Sequence, residues 1–222
     1  MRIDCILPSL APTHAEPALV CPTPGCTSTT FRLHQRVVKP LHDMEYSTLD
    51  VRRYRCAACG CTFRVYPRGV TRAATSERVR CIATLLYFLG LSYGAVSTFL
   101  DACKIYLCKS RVHDIVTATR QRYPSLTRAA LFTAIRTDNA RGKGLDVRYQ
   151  DYWLPVELGR CTADHALGLE IDVLPAHERL QLEQQLWPVV TRFGMSLRVS
   201  GLSARALNDA PSATSERALH GT

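Results

Sequence analysis

Apolar residues recur at helical spacing along residues 71–123 and in shorter, strand-like runs on either side. Val79, Ile82, Ala83, Leu86 and Leu89 share one face of a helix that Ser76 can cap and Gly90 can stop. A second helix is expected from about Ser92, turning Ala95, Val96, Phe99, Leu100 and Cys103 inward. The connector Lys104 to Lys109 leads to Ser110, the expected cap of a third helix whose inward residues are Val112, Ile115, Val116 and Thr119. Lys109, Ser110, Arg111, Asp114, Thr117 and Gln121 are left facing out at or beside that helix. Polar groups near a docked helix N-terminus are what a recognition helix needs to reach base edges and phosphates.

Tyr123-Pro124 breaks this pattern. Beyond it, Gly144 to Val147, the run from Trp153 to Ala163, Leu167 to Leu174 and Met195 to Ser200 read as strands, with a hairpin turn at Asp164-His165-Ala166. Ala176 to Phe193 is amphipathic, with Leu180, Leu182, Leu186, Val189, Val190 and Phe193 apolar, and Pro188 is expected to kink or interrupt the helix. Residues 1–20, rich in Pro and Ala with little periodicity, read as a loose tail, and residues 201–222 as an irregular one. The expected division is therefore 21–70, 71–123 and 124–200 between two tails.

Composition narrows the classes. Of 222 residues, 46% are hydrophobic, which excludes wholesale disorder. No apolar stretch approaches the roughly 20 residues that span a bilayer, so no membrane partner is expected. The charged start Met-Arg-Ile-Asp argues against a secretory signal, so a cytoplasmic chain is expected, with cysteines as thiols or metal ligands. The net charge of +9 is unevenly placed. Residues 1–130 carry 18 Lys and Arg against 8 Asp and Glu, whereas residues 131–222 carry 10 against 11. Such asymmetry points to a polyanion bound by the first part, because basic side chains displace counterions condensed on nucleic acid.

The candidate chemistry starts with cysteine. Cys21-Pro-Thr-Pro-Gly-Cys26 and Cys56-Ala-Ala-Cys59 form two pairs separated by 29 residues. Zn2+ takes four soft ligands at tetrahedral corners, and each short Cys–Cys turn can place two thiolates on one ion. The four cysteines predict a structural zinc ribbon, with Thr30 to Leu33 and Val51 to Arg55 among its strands. Cys61 competes as a ligand, with His34 and His42 weaker candidates. Cys5, Cys81, Cys103, Cys108 and Cys161 read as small buried hydrophobes. Around the second knuckle lie Arg52, Arg53, Arg55, Arg64, Arg68 and Arg72, interleaved with Tyr54, Phe63 and Tyr66. These arginines are candidate phosphate ligands.

The run Arg53 to Val70, followed by Leu86 to Ser97, resembles the N-terminal region of bacterial insertion-sequence transposases, and the similarity extends over about residues 20–200. That resemblance implies an α+β multidomain chain: a small zinc ribbon, a helix-turn-helix trihelical unit, then an RNase H-like mixed α/β domain, here incomplete. It also implies transposition of DNA by metal-dependent strand cleavage and transfer. Duplex DNA at the element's terminal repeats would be the partner, a second copy of the chain a candidate one, and the bacterial nucleoid the setting. Asp146, in Gly144-Leu145-Asp146-Val147, looks like the family's first catalytic aspartate, with Asp138 as the alternative.

Two-metal chemistry needs a whole carboxylate cluster to hold Mg2+ or Mn2+. The place for the family's second acid is occupied by Gly201-Leu202, and the next acid is Asp209. The chain is therefore expected to be a truncated or frameshifted copy that binds DNA better than it cuts it. A non-enzymatic zinc-ribbon and helix-turn-helix regulator is the alternative.

Overall fold

A computed structural model describes residues 1–11, 20–138, 144–161 and 164–201; of Asp138 it describes the backbone alone. These residues form an α+β structure with four helices and two antiparallel sheets. Strands β2 (Phe31–Pro40), β3 (Thr48–Cys56) and β4 (Thr62–Val65) make a three-stranded sheet in that order, with an irregularity in β2 between Leu33 and Gln35. Three helices follow: α1 (Glu77–Phe88), α2 (Tyr93–Ala102) and α3 (Lys109–Arg122). The remaining elements are β5 (Phe132–Asp138), β6 (Gly144–Tyr149), β7 (Tyr152–Cys161), β8 (Asp164–Glu170), α4 (Ala176–Arg192) and β9 (Ser196–Ser200).

The helices begin where short polar side chains can satisfy their first amides. Ser76 Oγ accepts from Val79 N–H at 3.3 Å and Ser92 Oγ from Ala95 N–H at 3.1 Å. The third helix starts earlier than expected. Val112 N–H donates to the Cys108 carbonyl at 3.1 Å, which makes Cys108 the N-cap and puts Ser110 inside the helix. Val112, Ile115 and Val116 are its buried residues, as the apolar spacing requires. The amphipathic helix α4 runs through Pro188 without interruption. Both Pro188 and Gln184, whose carbonyl loses its helical donor, are exposed, so water can serve that oxygen.

Three expectations about organisation need correction. Residues 1–20 are not wholly a tail: Arg2–Ile6 form β1, which pairs antiparallel with both β8 and β9, and Ile3 and Cys5 are fully buried. Ile3, Cys5 and Leu7 share one side of the strand, and Asp4 on the other side is also buried, paired with Arg2. The large sheet therefore has the order β5-β6-β7-β8-β1-β9 and is antiparallel throughout. The strand after α4 lies at the far edge from β6 and pairs with the N-terminus, an arrangement different from the RNase H-like sheet that was expected.

The third correction concerns the boundary at Tyr123-Pro124. One apolar core runs through β1, all four helices and β6 to β8, joining Ile3, Val79, Phe99, Val116, Val147, Leu169 and Leu186. The carbonyls of Phe88 and Leu89 at the end of α1 accept the N–H groups of Ala129 and Phe132, each at 2.7 Å, which stitches the segment after α3 to α1. Gly90 makes this approach geometrically feasible: its φ is +126°, and a Cβ there would stand 2.5 Å from the Phe132 carbonyl oxygen. Gly90→Ala should therefore lower unfolding stability by about 2–3 kcal/mol in urea titration, whereas Gly94→Ala, whose nearest neighbour would be 3.9 Å away, should not.

The small sheet has its own minor core of Leu41, Leu49 and Val70. Its β2–β3 loop is docked on the rest of the chain by buried ions. The Arg78 guanidinium on α1 donates from Nε to Asp43 Oδ2 at 2.8 Å, pairs with Asp43 Oδ1 through a second nitrogen, and donates to His165 Nδ1 on β8 at 2.9 Å. Glu45 approaches Arg78 and pairs with Arg160 on β7. Beside these ions, His42 N–H donates to the Ala74 carbonyl at 2.7 Å.

Candidate metal centre and nucleic-acid interface

The four cysteines meet because the strand register carries them together. Phe31 lies opposite Cys56, and Ala57 N–H donates to the Thr30 carbonyl at 3.1 Å, so the turn holding Cys21 and Cys26 sits beside the turn holding Cys56 and Cys59. Gly25 at φ +78° and Gly60 at φ +70° let the two turns reverse tightly. The sulfurs of Cys21, Cys26, Cys56 and Cys59 all lie within 4.8 Å of one another. Cys21–Cys59 is 3.7 Å and Cys26–Cys56 is 3.8 Å. A tetrahedron with metal–sulfur bonds of about 2.3 Å has edges of about 3.8 Å, so the donor set fits one soft divalent ion.

Backbone amides reinforce the fit. The N–H of Thr23 is aimed at Cys21, that of Cys59 at Cys56, and that of Cys61 at Cys59, and each pulls its thiol below the ordinary value. Donors pointed at sulfur favour thiolate, the form that binds metal, although at Cys26 the Ser28 amide is outweighed by burial and the neighbouring thiols, which push the group up to about 12. Among the described residues this is the one group of three or more His, Cys, Asp or Glu side chains that could hold a metal ion. His34 and His42 are exposed and take no part. Of the other cysteines, Cys5 is fully buried, and burial pushes its thiol up to about 12. Cys81 and Cys103 are partly buried. Cys161 is partly buried too, and its thiol donates to Asp4. Cys108 overturns its expectation: it is exposed, because a helix N-cap at this turn faces solvent.

The same register arranges the arginines. Arg32 lies directly opposite Arg55, and Arg53 directly opposite Arg64. Strand alternation puts all four on one side of the small sheet. Tyr54, Phe63 and Phe31 occupy the other side, where Phe31 and Phe63 meet edge to face at 5.1 Å. Arg36 faces Arg52 on that second side, further from the knuckles. Like charges directly opposite one another destabilise an antiparallel sheet, so these pairs oppose the fold that holds them. Arg53 donates to Thr62 Oγ1 at 2.7 Å, while Arg32, Arg55 and Arg64 are exposed. Arg68 is also exposed, in the loop after β4. Arg32 and Arg36 escape a reading centred on the second knuckle, and only the cross-strand register reveals them.

On α3, Lys109, Ser110, Arg111, Asp114 and Gln121 are exposed and Thr117 is half-buried. Asp114 lies 4.0 Å from Arg111 and 3.6 Å from His113. A cleft of about 660 Å³ at the start of α3 is lined by His42 of the β2–β3 loop together with Asp101, Tyr106, Cys108 and Arg111, and none of the paired arginines lines it.

Asp146 sits on β6 with its side chain 13% exposed. Arg136 on β5 donates to it from Nε at 3.0 Å and lies over the Trp153 ring at 4.6 Å. No second and third acid join Asp146 among the described residues. The side chain of Asp138, and all of Asp209, lie outside those residues. No helix among the described residues is long and apolar enough to cross a membrane. Comparison with protein-family models, with curated proteins and with solved structures gives no match, so the chain's chemistry rests on its own residues.

Proposed function

We propose that this chain is a double-stranded-DNA-binding protein that uses a Zn2+-held ribbon and the outward face of α3, in the manner implied by its resemblance to insertion-sequence transposases. The observation that carries this reading is the set of like-charged arginine pairs, Arg32 with Arg55 and Arg53 with Arg64, on one side of the small sheet. Four guanidinium groups held together against their own repulsion match a row of phosphates, which would relieve that repulsion. Zn2+ is the ion best suited to a closed four-thiolate site, and in that role it organises the knuckles without taking part in chemistry. Arg111 and Gln121, both exposed on α3, would supply contacts to bases or phosphate. The terminal repeats of a mobile element are the DNA that the transposase resemblance assigns.

The test is fluorescence anisotropy on duplex DNA across about 50–200 mM salt, where the logarithm of affinity should fall linearly with that of salt concentration. Arg55→Gln with Arg64→Gln should weaken binding by about ten- to a hundredfold and reduce the salt slope by about 2, while zinc content and helicity stay unchanged. An unchanged slope would sink the phosphate assignment.

Strand cleavage is the second part of the transposase reading, and the Arg136–Asp146 pair weighs against it for this chain alone. A carboxylate engaged by guanidinium must give up that partner before it can ligate Mg2+ or Mn2+. Incubation with element-end DNA and either metal should leave the DNA intact. Nicked or joined product that disappears with Asp146→Ala would restore the catalytic assignment.

A further inference from the structure

The zinc centre has a fifth sulfur that four-coordinate metal does not need. Cys61, two residues after Cys59, places its Sγ 3.4 Å from Cys21 Sγ, closer than the 3.7 Å and 3.8 Å separations of Cys21–Cys59 and Cys26–Cys56. Its backbone carbonyl accepts from Cys56 N–H at 2.9 Å, which fixes the residue against the cluster. Cys61 is partly accessible, whereas Cys21 is 6% exposed. A spare thiol is thus held on the solvent side of a buried ligand from the opposite knuckle.

The geometry points to Cys61 as the redox trigger of the metal site, a thiol that hydrogen peroxide converts into a Cys21–Cys61 disulfide, expelling Zn2+. The inference rests on the zinc reading above. The electrons balance in two steps. The Cys61 thiolate attacks one peroxide oxygen, giving the sulfenic acid, and the leaving hydroxide takes a proton to become water. The Cys21 thiolate then attacks the Cys61 sulfur, the S–O bond breaks, and a second water leaves after protonation. Two thiol sulfurs have been oxidised and one hydrogen peroxide reduced. The metal is left with Cys26, Cys56 and Cys59, and a three-thiolate remnant holds zinc far less tightly. A disulfide of about 2.05 Å requires the two sulfurs to close by about 1.4 Å, a side-chain movement well within reach at this contact. Thiol reductant would reverse the step and let zinc rebind. The ribbon's arginines would then be presented to phosphate only in reducing surroundings.

The experiment uses the full chain and Cys61→Ser, each purified with zinc and treated with hydrogen peroxide in the presence of a chromogenic chelator. Both proteins should start with one zinc per chain, since the inference requires Cys61 to lie outside the four-thiolate set. A metal-free wild-type chain would overturn the zinc reading and this inference together, whereas zinc lost from Cys61→Ser alone would make Cys61 a ligand and overturn only the inference. The serine variant should release zinc about tenfold more slowly. Peptide mapping of the oxidised wild-type chain under non-reducing conditions should recover Cys21 joined to Cys61, and dithiothreitol with added zinc should restore the metal. Equal release rates in the two proteins, or a first-formed disulfide that omits Cys61, would overturn the inference while leaving the zinc reading intact.

Discussion

Replacing both Cys56 and the neighbouring spare thiol Cys61 with serine should empty the metal site, unfold the knuckle end of the small sheet and abolish DNA binding, while the large core stays folded. Structural zinc contributes an apparent binding free energy of about 10–16 kcal/mol, and removing one thiolate of four forfeits much of it. The knuckle end has little else. Its aromatic contacts are Phe31–Phe63 and Tyr54–Phe63, and the minor core of Leu41, Leu49 and Val70 lies toward the opposite end. Cys56 is also the hinge of the assembly, since it stands opposite Phe31, ends β3 and carries one of the four sulfurs. Without metal the facing arginine pairs lose the constraint that holds them together, and their repulsion then favours separation of the strands.

Three measurements separate this outcome from general misfolding. Metal analysis should find less than about one tenth of a zinc per chain, consistent with a three-ligand remnant. Limited proteolysis should cut within residues 21–65 yet spare α1 to α4. Far-ultraviolet circular dichroism should keep its helical signal, because α1, α2, α3 and α4 pack into the larger core and not into the ribbon. A fully folded, DNA-binding protein carrying both Cys56→Ser and Cys61→Ser would remove zinc from the argument.

The elements of this fold are legible in the sequence, and its pairings are not. Helix faces follow from local spacing, which is why Val79, Ile82, Leu86, Val96, Phe99 and Val112 are buried where the apolar period puts them. The four clustered cysteines are legible for a similar reason, since two short cysteine turns specify their own local geometry. Sheet partners depend on residues far apart in the chain, and nothing local to Arg2–Ile6 announces that it will lie between β8 and β9. Five residues offer too few alternations to stand out from a Pro- and Ala-rich neighbourhood. The arginine pairs were half visible, because the knuckle sequence names Arg53, Arg55 and Arg64 but only register supplies Arg32 as a partner. Asp146 illustrates the opposite limit: a motif can place a carboxylate on a strand without revealing the Arg136 that neutralises it.

Arg78→Met should destabilise the chain by about 3–5 kcal/mol and free the ribbon from the large sheet. The Arg78 side chain is 3% exposed, and it alone satisfies several groups at once. Asp43, whose side chain is fully buried, receives two of its donors, and His165 Nδ1 receives a third. Burial by itself would raise the Asp43 carboxyl, but the Arg78 guanidinium outweighs it and holds the group below its ordinary value. Methionine fills a similar volume without a charge, which leaves a buried carboxylate unpaired; the destabilisation comes from that carboxylate and not from the packing. Arg78→Met combined with Asp43→Leu should therefore recover more than half of the loss, and the shortfall from additivity in urea unfolding measures the coupling.

The pH dependence has a defined sign. A carboxyl lowered in the folded state contributes stability that is complete above its unfolded value near 3.8 and is lost as pH falls through the folded value, so the wild-type chain should weaken steeply in acid. Arg78→Met should flatten that acid limb. DNA affinity should also fall at neutral pH although none of the paired arginines has changed, because a ribbon detached from α1 is no longer held in one fixed orientation to the helices. Equal affinity for DNA in the wild-type and Arg78→Met proteins would show that ribbon and helices bind independently, and that the buried ions serve stability alone.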